Sequence, residues 1–249
     1  MANSVFFYKN VEPLSKEIHV DLKLQPTKQY NFALKNHCVP LAGIEFFSAS
    51  TKYPVIFLKE GESYIPVALT GLEEDKNLFI DATGKWEEDA YIPAFIRRYP
   101  FILAETGDDE NQLTVCIDVD YEGWDKKKGE ALFTKEGENT PFLENALALL
   151  SSYNIDMKRT QEFVKILAEK NLFESKNVTI QSPDGETFAV QNVYIVDEAK
   201  FMELDGETLH TLNKQGMLGW IFAHLVSLNN FPALFERFRN AREKKSKAN

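Results

Sequence analysis

Tyr53–Leu69 reads YPVIFLKEGESYIPVAL. Two runs rich in β-branched and aromatic residues, Tyr53–Lys59 and Ser63–Leu69, flank Glu60-Gly61-Glu62. That pattern predicts a β-hairpin with a three-residue loop. Pro66 brings no N–H to a ladder, so its strand is expected at a sheet edge or at a bulge. Downstream, Phe101–Glu105 and Leu113–Asp120 predict a second antiparallel pair around the acidic loop Gly107–Asn111. Between the two pairs lies NLFIDATGKWEEDAYIPAFIRRYPFILAE, Asn77–Glu105. Pro93 suits the first turn of a short helix there, and Pro100 pushes Tyr99 out of the helical region and ends it.

Beyond a glycine- and charge-rich stretch at 122–140, the apolar spacing changes from two to that of a helix. Thr140 precedes Pro141, and Phe142, Leu143, Ala146, Leu147 and Leu150 recur on one face. Thr160 is read as opening a second helix with Phe163, Val164, Ile166 and Leu167 inward. Ser182-Pro183-Asp184-Gly185 is a turn between Val178–Gln181 and Phe188–Val196. Asp197 and Asp205 each suit a helix N-cap, and Gly216 a helix end. Met217–Leu228 is apolar almost all round and predicts a central buried helix. Leu234, Phe235 and Phe238 make a final amphipathic one. The fold class is α+β: a strand-rich N-terminal half with antiparallel hairpins, and a mainly helical C-terminal half with an inserted β-hairpin. One unit over 1–249 is expected, its seam separating a β-rich 1–125 from a helix-rich 140–249.

Composition narrows the function classes. The chain has 249 residues, 44% apolar and 27% charged, with 19 phenylalanines. Its size supports an aromatic-rich core without disulfide or metal staples. A net charge of −10 disfavours nucleic acid and anionic membrane, which need a basic footprint. Basic residues do gather at the C-terminus (Arg237, Arg239, Arg242, Lys244, Lys245, Lys247), as solvated cations suit a helix end. Cys38 and Cys116 form no C-x-x-C pair. The first thirty residues lack a basic head followed by an apolar run, and Met217–Leu228 is short of the about twenty residues of a bilayer span. A cytoplasmic location follows as the expectation, with no membrane span.

No P-loop, G-x-G-x-x-G, G-x-S-x-G, H-E-x-x-H or EF-hand pattern occurs, so no cofactor is expected and no catalytic residue stands out. Three constellations remain. Arg97 and Arg98 sit among Tyr91, Phe95, Tyr99 and Phe101, with Trp86 nearby. A guanidinium there either stacks on aromatics and recognises a carboxylate or phosphate, or forms an internal salt bridge to Asp81, Glu87 or Asp118. Cys116, Asp118 and Asp120 alternate along a strand. Their shared face suits acid–base work or a hard cation, and it equally suits a half-exposed strand. His19, His37 and Glu45 are a chemically suitable metal set at no recognised spacing. His224, in the apolar helix, is expected neutral and hydrogen-bonded.

Several segments together resemble one family. They are SKEIHVDLKL (Ser15–Leu24), NFALKNHCVPLAGIEF (Asn31–Phe46), YPVIFL (Tyr53–Leu58), LTGLEEDKNLFID (Leu69–Asp81), GKWEEDAYIPAFIRRYPFILAE (Gly84–Glu105), LTVCID (Leu113–Asp118), ALFTKEGENTP (Ala131–Pro141) and AHLVSL (Ala223–Leu228). On these the chain resembles the SapC family of bacterial proteins over nearly its whole length. The resemblance implies a link to a paracrystalline surface layer, as a component or an accessory. Cell-surface placement would then require a leaderless export route. Relatives encoded near flavin-dependent tryptophan-halogenase-like and cupin-like enzymes imply an accessory or peptide-binding role. The family brings no established catalytic residues to carry over.

Two readings follow. The first is a non-enzymatic binding or assembly protein that engages a protein or peptide partner through Trp86, Tyr91, Phe95, Arg97 and Arg98, with oligomerisation open. The second is a metal-dependent or other modifying enzyme whose site draws on His19, His37, Glu45 and the Asp118–Asp120 face.

Overall fold

The computed structural model describes residues 7–25, 27–105, 113–181, 185 and 187–248, with backbone alone at 105, 180, 181, 187–189 and 244–248. The acidic loop Gly107–Asn111, most of the turn Ser182–Gly185, and the side chains of Lys244, Lys245 and Lys247 lie outside what is described. The strands are β1 Val11–Pro13, β2 Lys23–Leu24, β3 Cys38–Pro40, β4 Val55–Glu60, β5 Ser63–Leu69, β6 Phe101–Glu105, β7 Leu113–Asp118, β8 Trp124–Asp125, β9 Glu130–Ala131, β10 Phe173–Gln181 and β11 Thr187–Val196. The helices are α1 Lys16–His19, α2 Phe46–Ala49, α3 Ala94–Arg97, α4 Pro141–Glu169, α5 Glu198–Met202, α6 Gly206–Lys214, α7 Leu218–Ser227 and α8 Phe231–Ala248. The class is α+β, with the sheets antiparallel throughout.

The Tyr53–Leu69 hairpin is the centre of the largest sheet, whose strand order is β10-β11-β4-β5-β3. Glu60 pairs with Ser63, so the loop has two residues, Gly61 and Glu62, and is one shorter than the sequence suggested. Gly61 stands at φ 58°, in the first loop position, where a type II′ turn needs a residue free of a Cβ. Pro66 also departs from expectation, because β5 is an interior strand. The ladder phase explains how it is tolerated. Pro66 accepts from Leu41 N through its carbonyl, just past the last β3 pair, Pro40 with Val67. Its missing N–H therefore falls where the β3 ladder is ending.

The C-terminal half feeds this same sheet. β11 joins β4 through Tyr194 and Phe57, and Tyr64 of β5 stacks on Phe173 of β10 at 4.0 Å. His224 of α7 fixes the junction. Its Nε2 accepts from Val196 N at 3.0 Å and its Nδ1 donates to Val55 O at 2.8 Å. One ring thus ties β11 to β4, and complete burial pushes its pKa down to about 4.

Thr140 caps α4 by accepting from Leu143 N, with Pro141 at the first helical position. The helix then runs unbroken for 29 residues. Thr160 starts no second helix. It lies buried inside α4, donates to Asp156 O at 2.6 Å, and accepts from Gly43 N at 2.8 Å. A hydroxyl that bonds back to the i−4 carbonyl can sit in mid-helix, and this one also satisfies the amide of a neighbouring turn. Asp197 and Asp205 cap α5 and α6 as expected, and Gly216, at φ 73°, follows the end of α6.

The largest apolar cluster draws Val39, Phe57, Phe95, Phe163, Trp220 and Phe235 into contact from both halves of the chain. Helix α7 is less central than its composition implied. Trp220, Ile221, Ala223 and His224 face inward, whereas Phe222 and Val226 are 51% and 60% exposed. The helical run Leu218–Glu243 is, by length and composition alone, apolar enough to cross a bilayer, and it contributes Trp220, Phe231, Phe235 and Phe238 to the core.

Candidate functional site

The segment Tyr91–Phe101 is organised around Glu45, which is buried under α3. Glu45 Oε1 accepts from Ala94 N at 2.7 Å and from the Tyr91 hydroxyl at 2.8 Å, and its Oε2 accepts from Ala42 N at 2.9 Å. Burial still outweighs these bonds and raises the carboxyl pKa. Arg97 closes the chain from outside. It donates through Nε to Ile92 O at 2.9 Å and through one terminal nitrogen to the Tyr91 hydroxyl at 3.1 Å. The guanidinium therefore reaches Glu45 through a phenol, and Tyr91 is pushed up to about 12 by burial and by Glu45.

Arg98 points the other way, into an aromatic box. Its guanidinium carbon lies 4.5 Å from the Phe95 ring centre, 4.9 Å from that of Tyr153 and 5.9 Å from that of Tyr8. Its buried Nε has no hydrogen-bond partner among the described residues. Ring faces and a polar contact with the Tyr8 hydroxyl, rather than a carboxylate, hold this cation. Trp86 and Phe95, 6% and 5% exposed, are core residues and offer no surface to a partner. Trp86 Nε1 donates to the Tyr53 hydroxyl at 3.0 Å, and that hydroxyl donates to Tyr91 O at 2.7 Å.

The three carboxylates considered as internal partners for Arg97 and Arg98 are all engaged elsewhere. Asp81 Oδ1 accepts from Thr83 N, Thr83 Oγ1 and Lys85 N within its own turn. Glu87 is held by Arg237 and Lys52. Asp118, fully buried, accepts from Lys9 N at 2.9 Å, Asn10 N at 3.1 Å, Asp120 N at 3.2 Å and the Tyr99 hydroxyl at 3.0 Å. The salt-bridge expectation therefore fails for both arginines among the described residues.

Beside this segment opens a groove of about 1580 Å³. Its floor is one face of the main sheet, where Leu58, Ile65, Val67, Cys38 and Pro40 line it from β4, β5 and β3. The opposite wall is aromatic. Tyr99 lies 4.2 Å from Phe32, 5.1 Å from Phe7 and 5.0 Å from Tyr121, ring centre to ring centre. Five lysines and four carboxylates rim the groove of a chain whose net charge is −10. Tyr99 and Phe32 lie in the Gly84–Glu105 and Asn31–Phe46 segments that carry the family resemblance. Phe7, Phe32 and Tyr121 come from three separate segments, and nothing in their local patterns marks them as neighbours.

A family model, SapC, matches residues 14–234. The chain belongs to the SapC family. No curated protein and no solved structure matches it.

In this SapC chain the possible metal ligands do not converge. His19 is buried at the end of α1, where its Nδ1 accepts from Ser15 N at 3.1 Å, and it borders a separate cleft of about 330 Å³. His37 lines the large groove, and Glu45 is spent on α3. Among the described residues no three His, Cys, Asp or Glu side chains are placed to share a metal. The Asp118–Asp120 face also dissolves. β7 ends at Asp118, and Asp120 stands in the following turn with its N–H on the Asp118 carboxylate. Cys116 and Ile117 are buried on opposite faces, so β7 is covered on both sides. Cys38, the thiol in the groove, is pushed up to about 12 by burial and is not a nucleophile near neutral pH.

Proposed function

We propose that this SapC-family chain is a non-enzymatic binding protein that holds a segment of a protein or peptide partner in the groove between the main sheet and the Phe7–Phe32–Tyr99–Tyr121 wall. The groove itself carries the reading. At about 1580 Å³ it exceeds the roughly 300–1,000 Å³ usual for small-molecule sites. It combines an apolar floor, stacked aromatic rings and a charged rim, the make-up of protein-recognition surfaces. An unactivated thiol and a lone histidine give it no nucleophile–base pair. Surface-layer association, or service beside peptide-modifying enzymes, would each be a use of such a groove. Arg97, exposed at the edge of α3, remains available to a partner's carboxylate.

The test is selection of a displayed random dodecapeptide library on the full chain, followed by titration of the enriched peptide. Ile65→Glu on the floor and Tyr121→Ala on the wall are expected to weaken binding at least about tenfold while the far-ultraviolet spectrum and Tm hold. Enrichment of peptides that bind both variants as tightly as the native chain would overturn the proposal, as would failure to enrich any.

A further inference from the structure

Resting on the groove as the binding site, we infer that its occupant is an extended polypeptide strand of a partner protein, which pairs with the free edge of β3 at Cys38 and sets acidic side chains against Lys28 and Lys85. The ladder phase defines that edge. Thr70 N donates to His37 O at 2.7 Å and Leu41 N donates to Pro66 O at 3.0 Å, so His37 and Leu41 turn their backbone groups toward β5. Residues alternate along a strand, and Cys38 therefore turns its N–H and C=O away from β5. Its opposite number confirms the phase, because Leu69 N donates to Pro54 O, just ahead of β4, at 2.9 Å. Among the described residues β3 has β5 as its one strand neighbour, and no backbone partner meets Cys38 on the other side. Asn36, Cys38 and Pro40 all line the groove, so this unpaired edge borders the same space as the apolar floor.

An unpaired donor and acceptor on one residue are the template for one antiparallel or parallel backbone pair. Pro40 offers only its carbonyl and β3 has three residues, which restricts pairing to a single register. The incoming strand lies beside β3, so its groove-facing alternate side chains neighbour Cys38 and Pro40, with Val67 of β5 the next floor residue inward. Charge selects its ends. Lys85 forms a bridge with Gln29, the neighbour of Lys28, at the rim; Lys28 has no ion-pair partner among the described residues, and Lys85 is near Asp81 without a salt bridge to it. Carboxylates on the occupant supply that partner.

Amide hydrogen exchange of the free protein, followed by NMR, is the first measurement. Cys38 is expected to exchange orders of magnitude faster than Val39, and to slow when the display-selected dodecapeptide is added. A free-protein Cys38 amide as protected as that of Val39 would mean that the edge is already covered, and the inference falls. The second is a backbone N-methyl scan of the same peptide. One position is expected to lose about tenfold in affinity with its neighbours unaffected, and Lys28→Glu with Lys85→Glu is expected to weaken binding several-fold at low salt. A flat scan alongside abolition by Ile65→Glu would refute strand pairing and leave the groove as the site. If Ile65→Glu has no effect on the peptide, the groove reading itself is wrong.

Discussion

Arg237 grips Glu87 with both terminal guanidinium nitrogens across a separation of 150 residues, while its guanidinium carbon lies 4.4 Å from the centre of the Phe79 ring. The fork and the stack use the two properties that separate arginine from lysine. They fasten α8 to the turn ahead of the Tyr91–Phe101 segment. The same guanidinium, with Lys52 behind it, lowers the Glu87 pKa. Stability from this pair is therefore complete above the ordinary carboxylate range and lost as pH falls through the lowered value.

Replacement of Arg237 by lysine is expected to keep the charge, lose the fork and the stack, and cost about 1 kcal/mol, with alanine costing somewhat more. Urea denaturation at pH 7 and again at pH 3 checks this. The native–variant difference should shrink at the lower pH, and an unchanged difference would assign it to packing alone.

Gly43 and Thr160 form a tighter joint. The Gly43 amide donates to Thr160 Oγ1, and a Cβ on Gly43 would stand 2.3 Å from the Trp220 ring. Gly43→Ala is expected to cost about 1–3 kcal/mol through overpacking against a buried indole. Thr160→Val is expected to cost about 1–3 kcal/mol by orphaning a buried N–H at nearly constant volume. Calorimetric Tm values for the two variants and their combination check both numbers. Because the sites touch, the double variant should fall short of the sum.

His224 sets a pH limit on the whole chain. The unfolded ring protonates near 6.5 and the folded one near 4. Between those values the unfolded state binds the extra proton, so stability is full above about 6.5 and falls as pH drops toward 4. The loss amounts to roughly 3 kcal/mol over the window. Imidazole NMR titration should show a ring that stays neutral at pH 5, and a ring titrating near 6.5 in the folded chain would refute the assignment.

Arg98 is expected to be dispensable for stability. Its Nε is buried and unpartnered among the described residues, and its neighbours are rings, with the Tyr8 hydroxyl in polar contact with the guanidinium. Exchanging such a cation for an apolar chain of similar length relieves desolvation. Arg98→Met should leave Tm unchanged or raise it. Arg97→Ala should lower Tm slightly by freeing Tyr91. A large drop for Arg98→Met would show that the Tyr8 contact and the ring contacts outweigh the desolvation.

The features legible in the residue order have a common character. The hairpin at Tyr53–Leu69, the caps Thr140, Asp197 and Asp205, and the stop at Gly216 each depend on residues within a few positions of one another. The features hidden from that order share a character too. Thr160 looked like a cap because serine and threonine favour N-caps, yet its hydroxyl found the i−4 carbonyl and the amide of Gly43, 117 residues away. Pro66 looked like an edge residue because a lone strand cannot reveal where its neighbour's ladder ends. The chemistry of Arg97 and Arg98 was legible as residue types, but their partners were not, since Asp81, Glu87 and Asp118 were claimed by groups from other segments.

The residue order alone determined the class of the fold, the helix caps at Thr140, Asp197 and Asp205, and membership of the SapC family, because turn chemistry, capping and apolar period act over a few bonds. Tertiary structure alone decided the groove, the outward edge of Cys38 and the separation of His19, His37 and Glu45. Those depend on which distant segments pack together, and packing is settled by the shape and volume of the whole core rather than by any local pattern.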